Sequence, residues 1–423
     1  MKLPIIQTAS VQRFIDGILD DLTRGCSTLV LLPEDIDEAQ VWNVVQAALW
    51  QRSISVQEIR LLPEYLTRSP VDVIAGETEV EWSPPESPRI LDNLLEHLMQ
   101  RDFPTMVLKL EGVGPLESEG WRTLPEKWGA AAKSCAQRHV ESFAAPPALC
   151  VIVSAAHYTH FPENDQYFNV HVWWQMPSAF EILLLCRFAE STPHSRTSLR
   201  WREHVLSSLV GGDATLVEFL WNDALTLDEE KLLDLLHRFG QKRGWSTECL
   251  KVWGVDDFQQ RERDSLHLPP MGWRRLWTKG VVYTTVEYGA ELHTAALAVL
   301  NRREDVLHRL WRGQAALLLP LLDQLRLEMC RRLTETYGRE WPLWDDPKLP
   351  EEKLAVEQTP YACQWGHLET LLRHCHRLHT YQRWLPLVGT ARRLRNELAH
   401  YHPVSYSLYA MLMQDAERQQ LYL

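Results

Sequence analysis

Five short apolar runs, all within the first 175 residues, constrain the fold of this 423-residue chain more than any other feature. They read STLVLL (27–32), EIRLL (58–62), TMVLKLEG (105–112), ALCVIVSA (148–155) and FNVHVWW (168–174). Amphipathic helical patterns such as DEAQVWNVVQAALWQR lie between them. Apolar strands that alternate with helices are typical of βαβ crossovers, which form a parallel sheet covered on both faces. Residues 1–175 are therefore predicted to form an α/β domain.

The pattern changes after residue 176, where strand-like runs almost disappear. Residues 176–265 carry helical spacing and predict a helical domain. Residues 266–302 combine a helix, a short β run, a Tyr-Gly turn and another apolar stretch, which is typical of a winged-helix-like unit. Residues 303–423 are predicted to form an up-and-down bundle of amphipathic helices joined by short connections. The four helices of this bundle are expected at 304–338, 363–378, 381–400 and 405–420.

Composition and charge narrow the class of protein. Hydrophobic residues make up 45% of the chain and charged residues 24%, as in ordinary globular proteins. The net charge of −12 argues against a surface coated for duplex DNA, although it is compatible with a local basic patch. The eight cysteines form no CxxC pair, which favours reduced thiols over a disulfide framework. The sequence has no signal-peptide core and no apolar run near the ~20 residues that cross a bilayer. A cytoplasmic protein is expected.

The order of the predicted elements resembles that of P-loop NTPases of the AAA+ and STAND classes. In this resemblance STLVLL is the first strand, and the loop after it should hold phosphate. That loop, PEDIDEA (33–39), contains four carboxylates and neither glycine nor lysine, so it repels a triphosphate. The strand TMVLKLEG offers only Glu111 where a metal-binding aspartate is expected. The sequence predicts a degenerate NTPase-like scaffold; a working ATPase and an unrelated α/β module are the alternatives.

Other possible sites have simpler structural explanations. Six cysteine and histidine residues between Cys363 and His379 include potential zinc ligands. Their segment has helical spacing with Cys375 on an apolar stripe, and so no metal site is predicted. No GxSxG nucleophile elbow is present. Arg274 and Arg275, which lie next to tryptophans, are compatible with nucleic-acid contact, but internal packing is the expected role of this region.

The stretch ARRLRNELAHYHPVS (391–405), at the end of the third bundle helix, carries the most specific signal. Its Arg395-Asn396-x-x-x-His400 pattern resembles the motif of HEPN domains. These are four-helix modules, many of them ribonucleases of toxin–antitoxin, CRISPR-associated and other anti-phage systems. The resemblance covers about the last 110 residues. The structural alternative is a pair of surface charges at a helix carboxyl end, where cations are favoured in any case.

These three residues suit RNA cleavage without a metal ion. At roughly 100° per residue, Asn396 and His400 lie about 40° apart on one helix face. A histidine can remove the ribose 2′-hydroxyl proton near neutral pH, and the planar fork of an arginine can stabilise charge that grows on the phosphate. Arg395, Asn396 and His400 are therefore the predicted catalytic residues, with no metal and no cofactor. Residues predicted to extend the RNA-binding path are Arg392, Arg393, Tyr401 and His402.

The HEPN resemblance implies further expectations. The site is completed across a homodimer of bundles, and the products carry a 2′,3′-cyclic phosphate. We therefore expect a metal-independent endoribonuclease toxin or effector of a bacterial anti-phage or toxin–antitoxin system. Its substrate is RNA, and a regulatory, antitoxin or sensor protein restrains or triggers it. The alternative is a non-catalytic HEPN protein that dimerises or binds RNA in a complex with its ATPase-like scaffold.

Overall fold

The computed structural model describes residues 5–82, 89–100, 106–111, 118–138, 146–158, 161–174, 177–188, 195–258, 268–285, 289–345 and 350–421. Contacts divide the chain into two compact units. The α/β unit is built from Pro4–Ser178 and Glu248–His293, and the helical unit from Ala179–Thr247 and Thr294–Leu423. Among the helices of the described ranges, none combines the length and the apolar character that crossing a membrane requires.

The first part of the α/β unit alternates strands with helices. Its described elements are α1 (Ala9–Thr23), β1 (Ser27–Leu32), α2 (Glu38–Gln51), β2 (Ser55–Arg60), α3 (Pro70–Glu77), α4 (Leu91–Met99), β3 (Met106–Glu111), α5 (Glu119–Arg122), α6 (Leu124–Arg138), β4 (Ala148–Ser154) and β5 (Phe168–Val172). The strands pair in parallel in the order β2-β3-β4-β1-β5. The predicted parallel α/β sheet is confirmed.

Burial along the central strands shows that helices cover both faces of the sheet. Successive side chains of a strand point to opposite faces, so a fully buried strand needs cover on each side. Every residue of β1 is buried, and so are residues 148–153 of β4. Helices α1, α2 and α6 pack against these strands. The core of this unit is therefore a sheet between two layers of helix.

Strand β2 differs most from its predicted position. The sequence predicts it at 58–62, whereas the structure places it at Ser55–Arg60. Within the described residues it is an edge strand that pairs with β3, and Ile59 is its one buried residue. Because an edge strand is half-exposed, hydrophobicity marks its position poorly. Leu61 and Leu62 follow the strand, and their apolar character shifted the predicted strand toward the carboxyl end.

The rest of the chain is mostly helical. Its described elements, in chain order, are α7 (Ala179–Phe188), α8 (Arg196–Val210), α9 (Ala214–Leu220), α10 (Glu229–Lys242), α11 (Thr247–Val252), α12 (Arg274–Thr278), β6 (Val282–Thr285), β7 (Gly289–Leu292), α13 (Thr294–Val299), α14 (Arg303–Tyr337), α15 (Pro350–Gln358), α16 (Trp365–His374), α17 (Leu385–Ala399) and α18 (Tyr406–Arg418). Strands β6 and β7 form an antiparallel hairpin.

The segment predicted as a winged-helix-like unit, 266–302, contributes to both units. Residues up to His293 group with the α/β unit, and residues from Thr294 group with the helical unit. Trp273 and Trp277 are buried, and Trp277 Nε1 donates a hydrogen bond to the Trp173 carbonyl oxygen at 3.0 Å. The tryptophans of this segment therefore have a packing role, as expected.

Helix α14 forms the centre of the helical unit. It runs for 35 residues through Pro320 and packs against α8 and α17. A Cβ atom at Gly313 would lie 2.5 Å from the His204 carbonyl oxygen, so a glycine is needed where α8 and α14 approach. The first predicted bundle helix, 304–338, is confirmed to within one residue at each end.

The connection before α17 differs from the predicted helices. Helix α16 ends at His374, and Cys375 is its half-buried, extended C-cap instead of an interior core residue. A 3₁₀ segment, His376–Trp384, follows, and α17 begins at Leu385 with Pro386 in its first turn. Proline has no N–H to continue a preceding helix but fits the first helical turn, which explains the late start.

Candidate functional site

The last turns of α17 direct their polar residues to solvent. Leu394 and Leu398 are buried, at 0% and 1% exposure, because residues four positions apart share a helix face. Arg395, Asn396 and His400 are exposed. Because the two leucines pack into the core, the three predicted catalytic residues all lie on the outer surface at the carboxyl end of α17.

Helix α17 ends in a Schellman motif with Tyr401 at the left-handed position. The Tyr401 N–H donates to the Leu398 carbonyl at 3.2 Å, and the His402 N–H donates to the Glu397 carbonyl at 2.9 Å. Tyr401 has a φ of +60°, a conformation that glycine adopts readily and a large side chain adopts rarely. The residue is 64% exposed.

Side chains of α14 hold this turn in place. Trp311 Nε1 donates to the Leu398 carbonyl oxygen at 2.8 Å. The buried amide of Gln314 donates to the Val404 carbonyl and accepts from the Val404 N–H, both at 2.8 Å. The helix end and the chain after it are therefore fixed on both sides of His400 and Tyr401.

The arginines of α17 differ in their partners. Arg395 Nη1 donates to Asn396 Oδ1 at 3.4 Å, a long contact, and it forms no ion pair with any carboxylate in the described part of the chain. Arg392 Nη1 lies 2.8 Å from Glu369 Oε2, and Arg373 bonds the other oxygen of that carboxylate at 2.6 Å. Burial works to raise the pKa of Glu369, but the hydrogen bonds from Arg392 and Arg373 outweigh it and lower that pKa. The Arg395 guanidinium is thus more available to a ligand than that of Arg392.

The histidines at the helix end also differ. The His402 Nδ1 atom lies 3.2 Å from Glu397 Oε2, while the His400 ring has no hydrogen-bond partner among the described residues. The two ring centroids are 6.3 Å apart. The structure brings Arg395, Asn396 and His400 to one helix end but places no hydrogen bond between His400 and the other two side chains.

Of the residues predicted to extend the RNA path, Arg393 is exposed on α17, and Tyr401 and His402 are exposed in the turn. Arg392 is exposed too, but its guanidinium is engaged with Glu369. Their contribution to RNA binding stays a prediction.

Two aromatic residues beside the site were not identified from the sequence. The His308 and Trp311 rings stack with centroids 5.3 Å apart, and the Tyr401 ring lies 4.7 Å from that of Trp311. The available signal was the i, i+3 spacing of His308 and Trp311, which places both on one face of α14. Nothing in the sequence indicates that Tyr401 reaches them.

The loop after β1 is occupied by contacts within the α/β unit. The Glu34 N–H donates to the Thr278 carbonyl at 2.8 Å, the Ile36 N–H donates to the Pro33 carbonyl at 3.2 Å, and the Ala39 N–H donates to Asp37 Oδ1 at 3.0 Å. The Glu34 carboxylate pairs with Lys279 Nζ at 2.5 Å. These three amides, of the kind that a phosphate loop presents to its ligand, already have acceptors here.

A cleft of about 410 Å³ opens next to this loop at the carboxyl ends of β3 and β4. Parallel sheets usually bind ligands at this edge. Asp37, Glu38 and Glu111 line the cleft together with one lysine, Lys109. The Lys109 ammonium is 3.7 Å from Glu111 Oε2 and 4.9 Å from the Trp42 ring centroid, so its charge has partners within the fold.

The cysteine and histidine residues at 363–379 do not converge. Cys363 is buried, which raises the pKa of its thiol, and His367 Nε2 is 2.7 Å from the Pro342 carbonyl oxygen. Within the described residues, no three potential metal-ligating side chains come together.

Comparisons with known proteins are sparse. No protein-family model matches the chain, and no curated protein sequence matches it. One similar solved structure is the ORC2 protein of Aeropyrum pernix in ADPNP and ADP complexes, with 12% identity and a TM-score of 0.32 over 75% of this chain and 96% of that one. Another is a STAND (signal transduction ATPase with numerous domains) protein with a tetratricopeptide-repeat sensor from Pyrococcus horikoshii, with 10% identity and a TM-score of 0.28 over 99% of this chain and 66% of that one. At such TM-scores neither likeness carries an argument about function.

Proposed function

We propose that the chain is a metal-independent endoribonuclease that acts through Arg395, Asn396 and His400. The observation that supports this most is the availability of the groups. The exposed Arg395 guanidinium has no carboxylate partner, and the His400 ring has no hydrogen-bond partner, within the described residues. Cleavage of a phosphodiester bond without a metal ion uses a base for the nucleophile and a cation for the charge on the phosphate.

In this proposal the RNA supplies its own nucleophile. His400 accepts the proton of a ribose 2′-hydroxyl, and the 2′-oxygen attacks the adjacent phosphorus. The bond from phosphorus to the 5′-oxygen breaks, and that oxygen takes up a proton. Arg395 stabilises the charge on the non-bridging oxygens, and the Asn396 amide donates a hydrogen bond to one of them. The products end in a 2′,3′-cyclic phosphate and a 5′-hydroxyl.

A second copy of the chain completes the site in this proposal, as the HEPN resemblance implies. Arg395 and His400 lie on an exposed surface without bonding to each other, which suits a site that combines residues from two protomers. A twofold axis would make the two sites equivalent, and the second His400 would protonate the leaving 5′-oxygen. Full cleavage activity in a protein shown by sedimentation to be monomeric would contradict this shared site.

The cellular role that we propose is a cytoplasmic toxin or effector of a bacterial anti-phage or toxin–antitoxin system. The α/β unit serves as a degenerate NTPase-like scaffold, with a winged-helix-like segment at 266–302, for a regulatory partner. An unrestrained ribonuclease damages its own cell, so such a partner is needed. Expression of the chain alone should be toxic, and expression of a His400→Ala variant should not be. Equal toxicity of the two would contradict this role.

The second candidate is a non-catalytic HEPN bundle that dimerises or binds RNA. The absence of a hydrogen bond between His400 and Arg395 or Asn396 in the described residues favours it, since the motif is not pre-assembled within one chain. The two candidates differ in one measurable property: the first cleaves RNA, and the second does not.

The deciding experiment compares His400→Ala with His374→Ala, which removes another exposed histidine from the same unit. RNA cleavage is measured in EDTA, and product ends are identified by mass spectrometry. We expect His400→Ala to lower the cleavage rate by about 100-fold or more. The same substitution should change the free energy of unfolding by less than about 1 kcal/mol. His374→Ala should cleave RNA at the wild-type rate. Equal rates for all three proteins, or cleavage that requires an added metal ion, would overturn the proposal.

A further inference from the structure

We infer that the rings of His308, Trp311 and Tyr401 form a platform on which an unpaired nucleobase stacks, next to the phosphate bound by Arg395 and His400. This aromatic platform deepens the proposed function and rests on it for the identity of the nucleic acid. It specifies the substrate class as single-stranded RNA, because a base within a duplex offers no open face to a protein ring.

The geometry of the three rings supports stacking. His308 and Trp311 are inclined by 29° with centroids 5.3 Å apart, and His308 and Tyr401 by 28° at 6.4 Å. Tyr401 lies 4.7 Å from Trp311 and remains 64% exposed. One side of the Tyr401 ring thus rests on protein while much of its surface is open to solvent. A nucleobase on an aromatic ring needs such an open face.

The backbone at Tyr401 is the second observation. Residue 401 occupies the left-handed position of the helix-ending motif, where glycine has the lowest conformational cost. A tyrosine there is strained, and strained residues often mark binding sites. The Tyr401 ring lies beside that of Trp311, with centroids 4.7 Å apart and planes inclined by 45°. An exposed aromatic ring at a strained backbone position therefore supports a binding role for Tyr401.

The charges around the platform favour RNA over a second protein surface. His400 and His402 are the residues before and after Tyr401, and Arg395 is exposed on the last turns of α17. Aromatic rings beside a cation such as Arg395 are typical of single-strand binding surfaces. Of the carboxylates close in sequence to the platform, Glu397 is bonded to His402 and Asp305 is paired with Arg302, while the exposed Glu304 is one turn before His308 on α14. Because residues 400 and 401 are adjacent, a base on the ring and its neighbouring phosphate at His400 fit one nucleotide.

The test uses the full chain and a fluorescein-labelled 2′-O-methyl RNA of about 12 nucleotides, which spans a typical single-strand site and cannot be cleaved at a blocked 2′-oxygen. Affinity is measured by anisotropy for this RNA and for an abasic oligonucleotide of the same length. The key variant is Tyr401→Gly, which removes the ring and relieves the backbone strain, so it should fold. Tyr401→Phe keeps the ring, and Tyr361→Ala removes another exposed tyrosine of the helical unit as a control.

We expect Tyr401→Gly to bind the base-bearing RNA roughly 5- to 150-fold more weakly, the range for loss of one base–aromatic stack. It should bind the abasic oligonucleotide as the wild type does, and Tyr401→Phe and Tyr361→Ala should bind both probes normally. In cleavage of unmodified RNA, Tyr401→Gly should raise KM more than it lowers kcat.

Three outcomes would overturn the platform. The first is that Tyr401→Gly binds the base-bearing RNA as tightly as the wild type does. The second is that Tyr401→Gly loses equal affinity for both oligonucleotides. The third is that Tyr401→Gly changes the oligomeric state of the protein but not its affinity for RNA. The last would assign the rings to a seam between two copies of the chain. The platform and the ribonuclease proposal fail separately. Ring-dependent binding with no His400-dependent cleavage rejects only the enzyme, whereas His400-dependent cleavage with normal Tyr401→Gly binding rejects only the platform.

Discussion

The loop after β1 and the carboxyl end of α17 are the two places where the sequence invites a comparison with phosphate-binding sites. In the loop, the amides of Glu34, Ile36 and Ala39 donate to acceptors within the α/β unit, and Lys279 neutralises Glu34. At the end of α17, Arg395 and His400 face solvent. Within the described residues, Arg395 has no carboxylate partner and the His400 ring has no hydrogen-bond partner.

The proposed function implies that the availability of charged and basic groups matters more than their position in the fold. The cleft above the sheet has the location that parallel sheets use for ligands, but its lysine and its neighbouring amides already have partners. The end of α17 presents an exposed cation, Arg395, and an exposed base, His400, which the proposed function assigns to a phosphodiester. The same availability separates Arg395 from Arg392 on one helix, because Glu369 engages only the latter.

The strongest expected structural effect comes from releasing the turn after α17. Gln314→Met keeps the side-chain volume but removes both hydrogen bonds to the Val404 backbone, which leaves two buried polar groups without partners. We expect a loss of about 2–4 kcal/mol in the free energy of unfolding, measured by chemical denaturation, and reduced RNA cleavage under native conditions. Wild-type stability would show that this turn is held by other contacts.

A smaller effect on stability is expected where arginines of the helical unit are paired with a carboxylate. Hydrogen bonds from Arg331 and then Arg332, against the opposing effect of burial, lower the pKa of Glu328 from 4.5 to about 2. Because the folded pKa lies below the unfolded one, the stabilisation is complete above about pH 4.5 and is lost as pH falls toward 2. Glu328→Gln should therefore destabilise the protein at pH 7 by under about 1 kcal/mol, since these groups are partly exposed.

That difference between wild type and Glu328→Gln should shrink at pH 3, as measured by denaturant titration at both pH values. A difference that grows on acidification would contradict the assigned ion pairs. RNA cleavage at pH 7 should be the same in both proteins, because Glu328 pairs with arginines outside the α17 site.

The smallest expected effect is that of ATP on the α/β unit. With the loop amides engaged and carboxylates around the cleft, calorimetry of the full chain with ATP and magnesium should detect no micromolar binding. RNA cleavage rates should be the same with and without ATP. Micromolar, magnesium-dependent binding would remove the contrast between the two regions and support a working nucleotide site.

The sequence predicted the periodic parts of this molecule well. Strands β1, β3, β4 and β5 and helix α14 are close to their predicted positions, because continuous apolar runs and long helical stripes mark buried elements. Strand β2 was misplaced since an edge strand buries little. The α16–α17 connection was misplaced because Pro386 delays the start of the helix.

The candidate site was predicted in part. Arg395, Asn396 and His400 follow from a local motif, and their exposure follows from the buried positions of Leu394 and Leu398. The platform depends on Trp311 and Tyr401, which are far apart in the chain, and on the left-handed conformation of Tyr401, which no residue pattern predicts. The pairing of Arg392 with Glu369 is also a tertiary contact, and so the relative availability of the two arginines required the structure.

The most direct test of the central claim compares Arg395→Ala with Lys279→Ala in one RNA cleavage assay in EDTA. Each substitution removes one cation, the first without a carboxylate partner in the described residues and the second paired with Glu34. We predict that Arg395→Ala lowers the cleavage rate by about 100- to 1,000-fold, as expected for a group that stabilises transition-state charge, and that Lys279→Ala leaves the rate unchanged. Wild-type cleavage by Arg395→Ala, or a comparable loss in Lys279→Ala, would contradict the claim that the exposed end of α17 performs the chemistry.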